Sequence, residues 1–202
     1  MSKRYTKEEI DRFHDYKLYV PTRTIWLGSE SVDNEIESGT DAKMAERVIM
    51  NISILDSIST EPITILMNNV GGFVPHGMAI YDSIKSSRSK ITIKVFGQAY
   101  SMGSVILQAA DKRIMAPNAQ QMAHYGTLEV SGHAKTVEKT MQACVRDNKW
   151  MERMYLEKMK RKNPGYTLEK LKSLLDHDTF LSARESVAMG LADAIMPTKE
   201  RK

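Results

Sequence analysis

One stretch near the middle of the chain constrains the fold more than any other. Residues 91–110 read ITIKVFGQAYSMGSVILQAA, and the apolar and polar residues at the start alternate as they do in a half-buried β-strand. A turn flanked by glycines follows, and a short apolar run then predicts a helix that begins near Met102. Ser101 is therefore predicted to lie at a strand-to-helix corner, where unpaired backbone N–H groups can bind an oxyanion.

This pattern alone leaves two roles open for Ser101. Its hydroxyl is either a nucleophile or only the N-terminal cap of the helix, with nearby glycines easing the turn. A second glycine corner bears on the choice, because Gly71 and Gly72 follow a predicted strand at residues 63–67 and precede an amphipathic run. Two such corners in adjacent β-α units are expected to bring their backbone N–H groups to one edge of the sheet, as an oxyanion hole requires.

Strands and helices alternate along most of the chain. The predicted strands are residues 23–28, 63–67, 91–96, 113–116, 121–124 and 191–195. The predicted helices are residues 41–58, 75–86, 102–109, 134–161, 167–175 and 182–189. Thr40 is the expected cap of the first of these helices, and Ser182 opens the last one with a capping box. Regular alternation of this kind predicts an α/β fold with a largely parallel sheet and right-handed crossovers.

The helical pattern at residues 134–161 is unusually long. A helix of about 28 residues would measure roughly 40 Å, which exceeds what a domain of this size is expected to cover. Part of it is therefore predicted to project, and the alternative is that the helix packs along its own domain.

Composition excludes several classes of protein. The 202 residues carry a net charge of only +4, with 29 basic residues scattered among 25 acidic ones, so nucleic acid is not an expected partner. Cys144 is the only cysteine, which rules out an intrachain disulfide and a cysteine-based zinc site. The sequence has no apolar run of 18 residues and no signal-peptide pattern at its start, so neither a membrane span nor export is expected. The cytoplasm is the predicted compartment, that of the host cell if a phage encodes the chain.

Five motifs occur in a fixed order between about residue 23 and residue 195. They are Asn68-x-x-Gly-Gly-x-x-x-x-Gly-Met-x-Ile-Tyr-Asp82, Gly97-Gln-Ala-x-Ser-Met-Gly103, Ala116-Pro-Asn118, Met122-x-His124 and Asp178-x-Phe-Leu-Ser-Ala183. In this order and at this spacing the sequence resembles the ClpP family, the proteolytic subunit of the Clp protease. Each motif alone is a weak signal, whereas five in order over nearly the whole chain are a strong one.

The resemblance implies a fold, a site and a set of partners. The fold would be the ClpP/crotonase spiral of repeated ββα units, with a protruding handle helix at about residues 132–162. The site would be a Ser-His-Asp triad of Ser101, His124 and Asp178, with the backbone N–H groups of Gly72 and Met102 as the oxyanion hole. The chain would be a serine endopeptidase for peptides and unfolded proteins, enclosed in two stacked heptameric rings. It would need no cofactor, because a partner unfoldase of the AAA+ Clp type would use the ATP.

Several positions depart from the family pattern. Val70 and Asn69 replace the usual proline and serine before the paired glycines, which predicts a less rigid loop. Tyr125 and Gly126 follow His124 where the family usually has Gln-Pro, and this change affects the expected substrate groove and ring contacts. The segment before Arg23 does not show the family's first helix. These features are similar to those of ClpP-like proteins from phage genomes, where a role in head maturation is possible.

The predicted organisation is an N-terminal arm (1–22), one peptidase domain (23–197) and a charged tail (198–202). Two alternatives come from other functional classes. A crotonase-type acyl-CoA hydratase or isomerase would share the fold, but no glutamate stands near either glycine corner to act as acid or base. A catalytically silent ring subunit would act only as a scaffold, and an intact set of Ser101, His124 and Asp178 argues against it.

Overall fold

The computed structural model describes residues 6–28 and 39–198. In these ranges eight strands form one sheet. They are β1 (Leu18–Tyr19), β2 (Thr24–Gly28), β3 (Ile63–Asn69), β4 (Ile91–Tyr100), β5 (Lys112–Met115), β6 (Gln120–Ala123), β7 (Thr179–Ser182) and β8 (Ala194–Ile195). Seven α-helices accompany them: α1 (Lys7–Tyr16), α2 (Ala42–Ile58), α3 (Val74–Ser86), α4 (Met102–Leu107), α5 (Ala134–Lys162), α6 (Leu168–Leu175) and α7 (Ala183–Ala188).

The sheet is largely parallel, as the alternation of elements predicted. Its order is β1-β2-β3-β4-β5-β8, and every pair from β2 to β8 along this path is parallel. The two antiparallel pairs are β1 with β2 and β6 with β7. The mixed α/β fold with a spiral of strand and helix units is therefore confirmed, with antiparallel pairing confined to the two ends.

On the side away from β3, strand β4 has two successive partners, and it divides the sheet just before Ser101. Residues 92–95 of β4 pair with β5, whereas residues 98–100 pair with β6. Gly97 lies between the two halves with φ 78°, a left-handed conformation that glycine adopts without steric cost. The bend at Gly97 separates the strand half that belongs to the main sheet from the half that leads into the site.

Two groups of buried side chains form the core. The larger group fills the space between the sheet and α2, α3 and α4, and its fully buried residues include the alternating Ile91, Ile93 and Val95. The smaller group joins α4 to α5 and α6, with Tyr155 and Met159 of α5 almost completely buried. Helix α4 contributes to both groups and is thereby held on both sides.

Helix α5 is buried only near its C-terminal end. Its buried residues are Met154, Tyr155 and Met159, and no side chain before Met154 is buried. Met141 and Val145 in the earlier part are 54% and 50% exposed. The predicted projection of this helix is confirmed, and the alternative that it packs along the domain over its whole length is wrong.

The expectation of an arm without a helix is wrong. Helix α1 begins with a capping box, in which Thr6 and Glu9 bond each other's backbone N–H groups, and it ends at Lys17 in a left-handed conformation. Its last carbonyl, that of Tyr16, accepts a hydrogen bond from the Asn51 side chain (2.9 Å). None of its side chains is buried, so no fully buried apolar side chain anchors this helix to the core. Residues 1–5 of the predicted arm lie outside the described residues, as do residues 199–202 of the predicted tail.

Other boundaries differ slightly from prediction. Asp41, not Thr40, caps α2, because the Asp41 carboxylate accepts a hydrogen bond from the Met44 N–H (2.8 Å). Thr40 is instead buried in a parallel bridge to Gly72. Strand β7 was not predicted, and β8 is shorter than expected. No helix in the described part of the chain combines the length and the apolar character needed to cross a membrane.

Candidate active site

Ser101 lies at the corner where β4 passes into α4. Its backbone has φ 51° and ψ −118°, a conformation that costs a residue other than glycine about 1–3 kcal/mol. The Ser101 N–H donates to the Met122 carbonyl (2.9 Å), and the Ser101 carbonyl accepts from the first turn of α4. The side chain makes no capping hydrogen bond to the helix. The Ser101 hydroxyl therefore does not cap α4, although the residue occupies the N-cap position.

The Ser101 hydroxyl is instead paired with His124. His124 follows β6 directly, and its Nε2 lies 2.8 Å from Ser101 Oγ. Its Nδ1 lies 2.8 Å from Oδ1 of Asp178. A carboxylate can only accept, so the hydrogen on the neutral ring belongs on Nδ1, and Nε2 is left free to accept the serine proton.

The pairing of β6 with β7 brings His124 and Asp178 together. The antiparallel register places Ala123 opposite Thr179, so the next pair in this register is His124 and Asp178. The two residues are 54 positions apart in sequence. The side chain of His124 is 19% exposed and that of Asp178 is 59% exposed, so the carboxylate faces solvent on one side.

The other residues considered in place of Asp178 and His124 lie elsewhere in the fold. Asp176 is the C-terminal cap of α6, where its N–H donates to the Lys172 carbonyl (3.0 Å). The remaining histidines lie on α1, on α3, at the start of α5 and between α6 and β7; they are His14, His76, His133 and His177. Among the described residues, His124 is the histidine that hydrogen-bonds Ser101.

The paired glycines lie against the serine corner. Gly71 and Gly72 have φ 95° and 144°. A Cβ atom added to Gly71 would come within 2.6 Å of Ser101 Cβ and 3.0 Å of the Met102 nitrogen, so only glycine allows this approach. In residues 6–28 and 39–198, the N–H groups of Gly72 and Met102 donate no hydrogen bond. They are free to bind an oxygen atom that develops negative charge beside Ser101.

Asn69 makes hydrogen bonds that hold this loop, and the lower rigidity expected from Asn69 and Val70 stays a prediction. Asn69 is fully buried, and its Oδ1 accepts hydrogen bonds from the Gly71 N–H (2.8 Å) and the Thr40 hydroxyl (3.1 Å). The Gly71 carbonyl in turn accepts a hydrogen bond from the Thr40 N–H. A Cβ on Gly103 would lie 2.8 Å from Asn69 Oδ1, so this side chain also requires the glycine after Met102. The role of Asn69 in holding the loop becomes visible only through Thr40 and Gly103, which are distant from it in sequence.

A cavity of about 430 Å³ opens beside Ser101 and His124. One wall comes from α3 and α4, and the opposite wall comes from the face of α5 between Thr140 and Met151. Its apolar lining includes Val74, Met78, Met102, Val105, Leu128 and Met151. Such a cavity can hold apolar side chains of an extended peptide next to the serine hydroxyl.

Tyr125 ties the histidine segment to α5. Its hydroxyl donates to Glu152 Oε1 (2.5 Å), and its N–H donates to the Leu175 carbonyl (2.8 Å). Burial and the neighbouring Glu152 carboxylate raise the pKa of Tyr125 well above its ordinary value, so the hydroxyl stays protonated as a donor. Tyr125 appeared in the sequence only as a departure from a motif, and nothing there indicated Glu152 as its partner.

The described residues contain no group of three or more His, Cys, Asp or Glu side chains placed to hold a metal ion. The groups that lie at the serine corner are a hydroxyl, an imidazole, a carboxylate and two backbone N–H groups. That set is sufficient for acyl transfer.

Comparison with known proteins agrees with this geometry. The sequence profile of the Clp protease family, described as Clp protease, matches residues 18–199. The chain belongs to the Clp protease family. It is 32% identical over 163 residues to the ATP-dependent Clp protease proteolytic subunit 2 of Pseudomonas aeruginosa, covering 80% of this chain and 79% of that protein. It is 34% identical over 190 residues to the ATP-dependent Clp protease proteolytic subunit of Streptococcus pneumoniae, covering 92% and 91%.

The fold of this Clp protease family chain also matches a solved relative. A mutant of ClpP1 from Listeria monocytogenes superposes with a TM-score of 0.74 at 27% identity, covering 89% of this chain and 94% of that one. The resemblance deduced from the five motifs is therefore confirmed at the level of family and fold. A ClpP-type peptidase is the functional class that these relatives support.

Proposed function

We propose that this chain is a serine endopeptidase in which Ser101 is the nucleophile, His124 the general base and Asp178 the residue that orients the base. Ser101 Oγ attacks the carbonyl carbon of a peptide bond while its proton passes to His124 Nε2. The carbonyl oxygen becomes an oxyanion and accepts hydrogen bonds from the N–H groups of Gly72 and Met102.

The second half of the reaction reverses these roles. When the tetrahedral intermediate collapses, the C–N bond breaks and the leaving amine takes the proton from His124. Water then attacks the acyl group on Ser101, with His124 again as the base, and releases the carboxylic acid product. Asp178 stays ionised throughout and stabilises the imidazolium that forms in each half.

The continuous chain of hydrogen bonds from Ser101 through His124 to Asp178 carries this proposal. Both links measure 2.8 Å, within the range for general-base catalysis. The strained backbone at Ser101 supports it further, because the conformation turns the hydroxyl away from the helix that a cap would serve. The same contacts favour neither a silent scaffold nor an acyl-CoA hydratase.

The substrates proposed are peptides and unfolded polypeptides. An extended chain fits the apolar cavity beside Ser101, whereas a folded protein would not present its backbone there. We further propose a homo-oligomer of two stacked heptameric rings in the cytoplasm, with an AAA+ Clp-type unfoldase that uses ATP to deliver substrates. A phage origin and a role in phage head maturation stay predictions of the sequence resemblance.

Labelling with a fluorophosphonate tests the catalytic assignment. The probe should add one phosphonyl group to the wild-type chain, as measured by intact mass, and none to Ser101→Ala. Ser86→Ala is the matched control, because Ser86 is exposed at the end of α3 and bonds only a carbonyl of its own helix (3.1 Å). Labelling of Ser101→Ala at the wild-type rate would show that another residue is the nucleophile.

A further inference from the structure

A second cleft, of about 410 Å³, shares no lining residue with the cavity beside Ser101. It lies where the C-terminal ends of α3, α5 and α7 meet the start of β5. Its cationic side chains come from three different elements: Lys85, Arg113, Lys158, Arg161 and Lys162. The proposed peptidase reaction uses none of them.

The two carboxylates of this cleft are already occupied. Asp193 Oδ1 lies 2.5 Å from Arg113 Nη2, and Asp193 Oδ2 accepts from the Arg113 N–H (2.7 Å). Asp111 accepts from Lys90 Nζ (3.1 Å) and from the Ile91 N–H (2.8 Å). Both carboxylates are therefore already hydrogen-bonded, and although Asp111 and Asp193 also attract Lys85 and Lys158, five cationic side chains outnumber them.

Three of the lysines have no such partner. In the described ranges, Lys85, Lys158 and Lys162 form no ion pair and no side-chain hydrogen bond, whereas Arg161 pairs with Glu157. Lys158 is half-buried. Burial lowers the pKa of Lys158, and the positive charges of Arg113 and its neighbours lower it further. The cleft thus holds five cationic side chains against two carboxylates, which leaves an excess of positive charge.

Helix ends explain part of this arrangement. Lysines in the last turns of α3 and α5 complement the negative ends of those helices, and Lys85 and Lys162 occupy such positions. Each lysine would complement the end of its own helix equally well if its side chain pointed into solvent, away from the other two. It does not account for the convergence of three elements on one concave surface, or for the half-burial of Lys158 beside Arg113.

We propose that this cleft binds a small polyvalent phosphate, of the pyrophosphate or tripolyphosphate class. Phosphate oxygens can accept from lysine and arginine at the same time, and a ligand with several charges would relieve the repulsion among these side chains. A volume of about 410 Å³ accommodates two or three linked phosphate groups. This site goes beyond the proposed peptidase function and does not depend on it.

Binding is expected to act on the packing of α5. Lys158 and Lys162 belong to the last turns of that helix, next to its buried residue Met159. A ligand that bridges these lysines to Lys85 and Arg113 would tie the anchored end of α5 to α3 and β5. Bound tripolyphosphate should therefore raise the midpoint of thermal unfolding.

Calorimetric titration of the full chain with tripolyphosphate tests the site. At low, fixed ionic strength we expect saturable binding that weakens about 10-fold in Lys158→Gln and also weakens in Lys162→Gln. Lys139→Gln is the matched control, since it makes the same charge change on an exposed position of α5 outside the cleft. Binding should be unchanged in Ser101→Ala, which separates this site from the proposed catalysis.

Titration with two further ligands distinguishes the sources of the phosphate and tests the selectivity of the cleft. If adenosine triphosphate binds with the same affinity as tripolyphosphate, the ligand of the cleft is the phosphate tail of a nucleotide. If it binds much more weakly, the ligand is free polyphosphate. A lack of saturable tripolyphosphate binding, or an equal loss in Lys139→Gln, would overturn the proposal. The proposal would also be overturned if a hexaglutamate peptide bound more tightly than tripolyphosphate and lost affinity in Lys158→Gln. The cleft would then be a site for acidic peptides.

Discussion

The serine corner and the outer part of α5 (residues 134–150) are held in opposite ways. At the corner, Asn69 is completely buried, its side chain is hydrogen-bonded, and Gly71 packs against Ser101. The outer part of α5 has no buried side chain, and an apolar groove on its surface is lined by Val137, Met141 and Val145. The fold of one chain therefore determines the catalytic geometry, whereas the outer part of α5 would need a further partner to bury its apolar face.

Substitutions in the triad should give the largest effect. Removing either the Ser101 hydroxyl or the His124 imidazole should lower kcat/KM on a fluorogenic peptide by on the order of 10⁴ to 10⁶, because the two groups act as a unit. For the same reason Ser101→Ala/His124→Ala should be no worse than either single variant. Sedimentation of these variants should match the wild type, since the outer part of α5 is untouched.

A matched pair of aspartates sharpens this prediction. Asp178→Asn should lower kcat by up to about 10⁴, because an amide can hold the wrong tautomer of His124. Asp176→Asn should change kcat by less than a few fold, since Asp176 only caps α6. Equal losses in the two variants would show that the orienting role has been assigned to the wrong residue.

Crowding at the glycine pair should have the next largest effect. Gly71→Ala would place a methyl group 2.6 Å from Ser101 Cβ on a backbone with φ 95°, so the corner must shift. We expect a loss of at least about 10² in kcat, similar to that caused by removal of an oxyanion donor. Gly165→Ala is the control, because its added methyl group would meet only the Asn163 side chain, at an ordinary 3.5 Å, and Gly165 lies outside the cavity beside Ser101. Wild-type kcat in Gly71→Ala would mean that the close packing is not needed for catalysis.

Two substitutions in α5 test the contrast within a single helix. Tyr155→Phe removes a buried hydrogen bond to Ser104 Oγ (2.6 Å), and the free energy of unfolding should fall by about 1–2 kcal/mol. Met141→Ser should leave the free energy of unfolding nearly unchanged and weaken the proposed assembly, as measured by sedimentation. If Met141→Ser destabilised the fold as much as Tyr155→Phe, the two parts of α5 would not differ as described.

The smallest effect concerns acid stability at the edge of the sheet. Burial alone would raise the pKa of Asp193, but hydrogen bonds from Arg113 and its charge outweigh burial and hold the pKa below its ordinary value. The carboxylate therefore stabilises the fold above its unfolded-state pKa, and this contribution is lost as pH falls through the folded-state pKa. Thermal unfolding at pH 7 and pH 3 should show a smaller pH dependence in Asp193→Asn than in the wild type. An identical dependence in both would contradict this role.

Short-range patterns explain what could be predicted from the sequence. The alternation before Gly97 and the apolar run after Ser101 are local and predicted the corner, and similar local patterns along the chain predicted the parallel sheet and the long helix at residues 134–161. Helix α1 was missed although Thr6 and Glu9 have the spacing of a capping box, and its hydrogen bond from Asn51 comes from a residue distant in sequence.

Partners that are distant in sequence could not be predicted either. The support that Asn69 gives Gly71 depends on its burial beside Thr40, 29 positions away. The bond between Tyr125 and Glu152 spans 27 positions and has no signal in either segment alone. Asp178 and His124 were paired through family resemblance, and only the register of β6 and β7 provides the physical reason.

That register also bears on when the site becomes complete during folding. Ser101 and His124 are 23 positions apart, whereas His124 and Asp178 are 54 apart, and Asp178 directly precedes β7. Contacts between distant residues form more slowly, and a growing chain on the ribosome contains the serine and the histidine long before the aspartate. We therefore expect a nascent chain to carry an unoriented base until β7 has been made and has paired with β6, which delays the proposed peptidase activity until the domain can close around its own site.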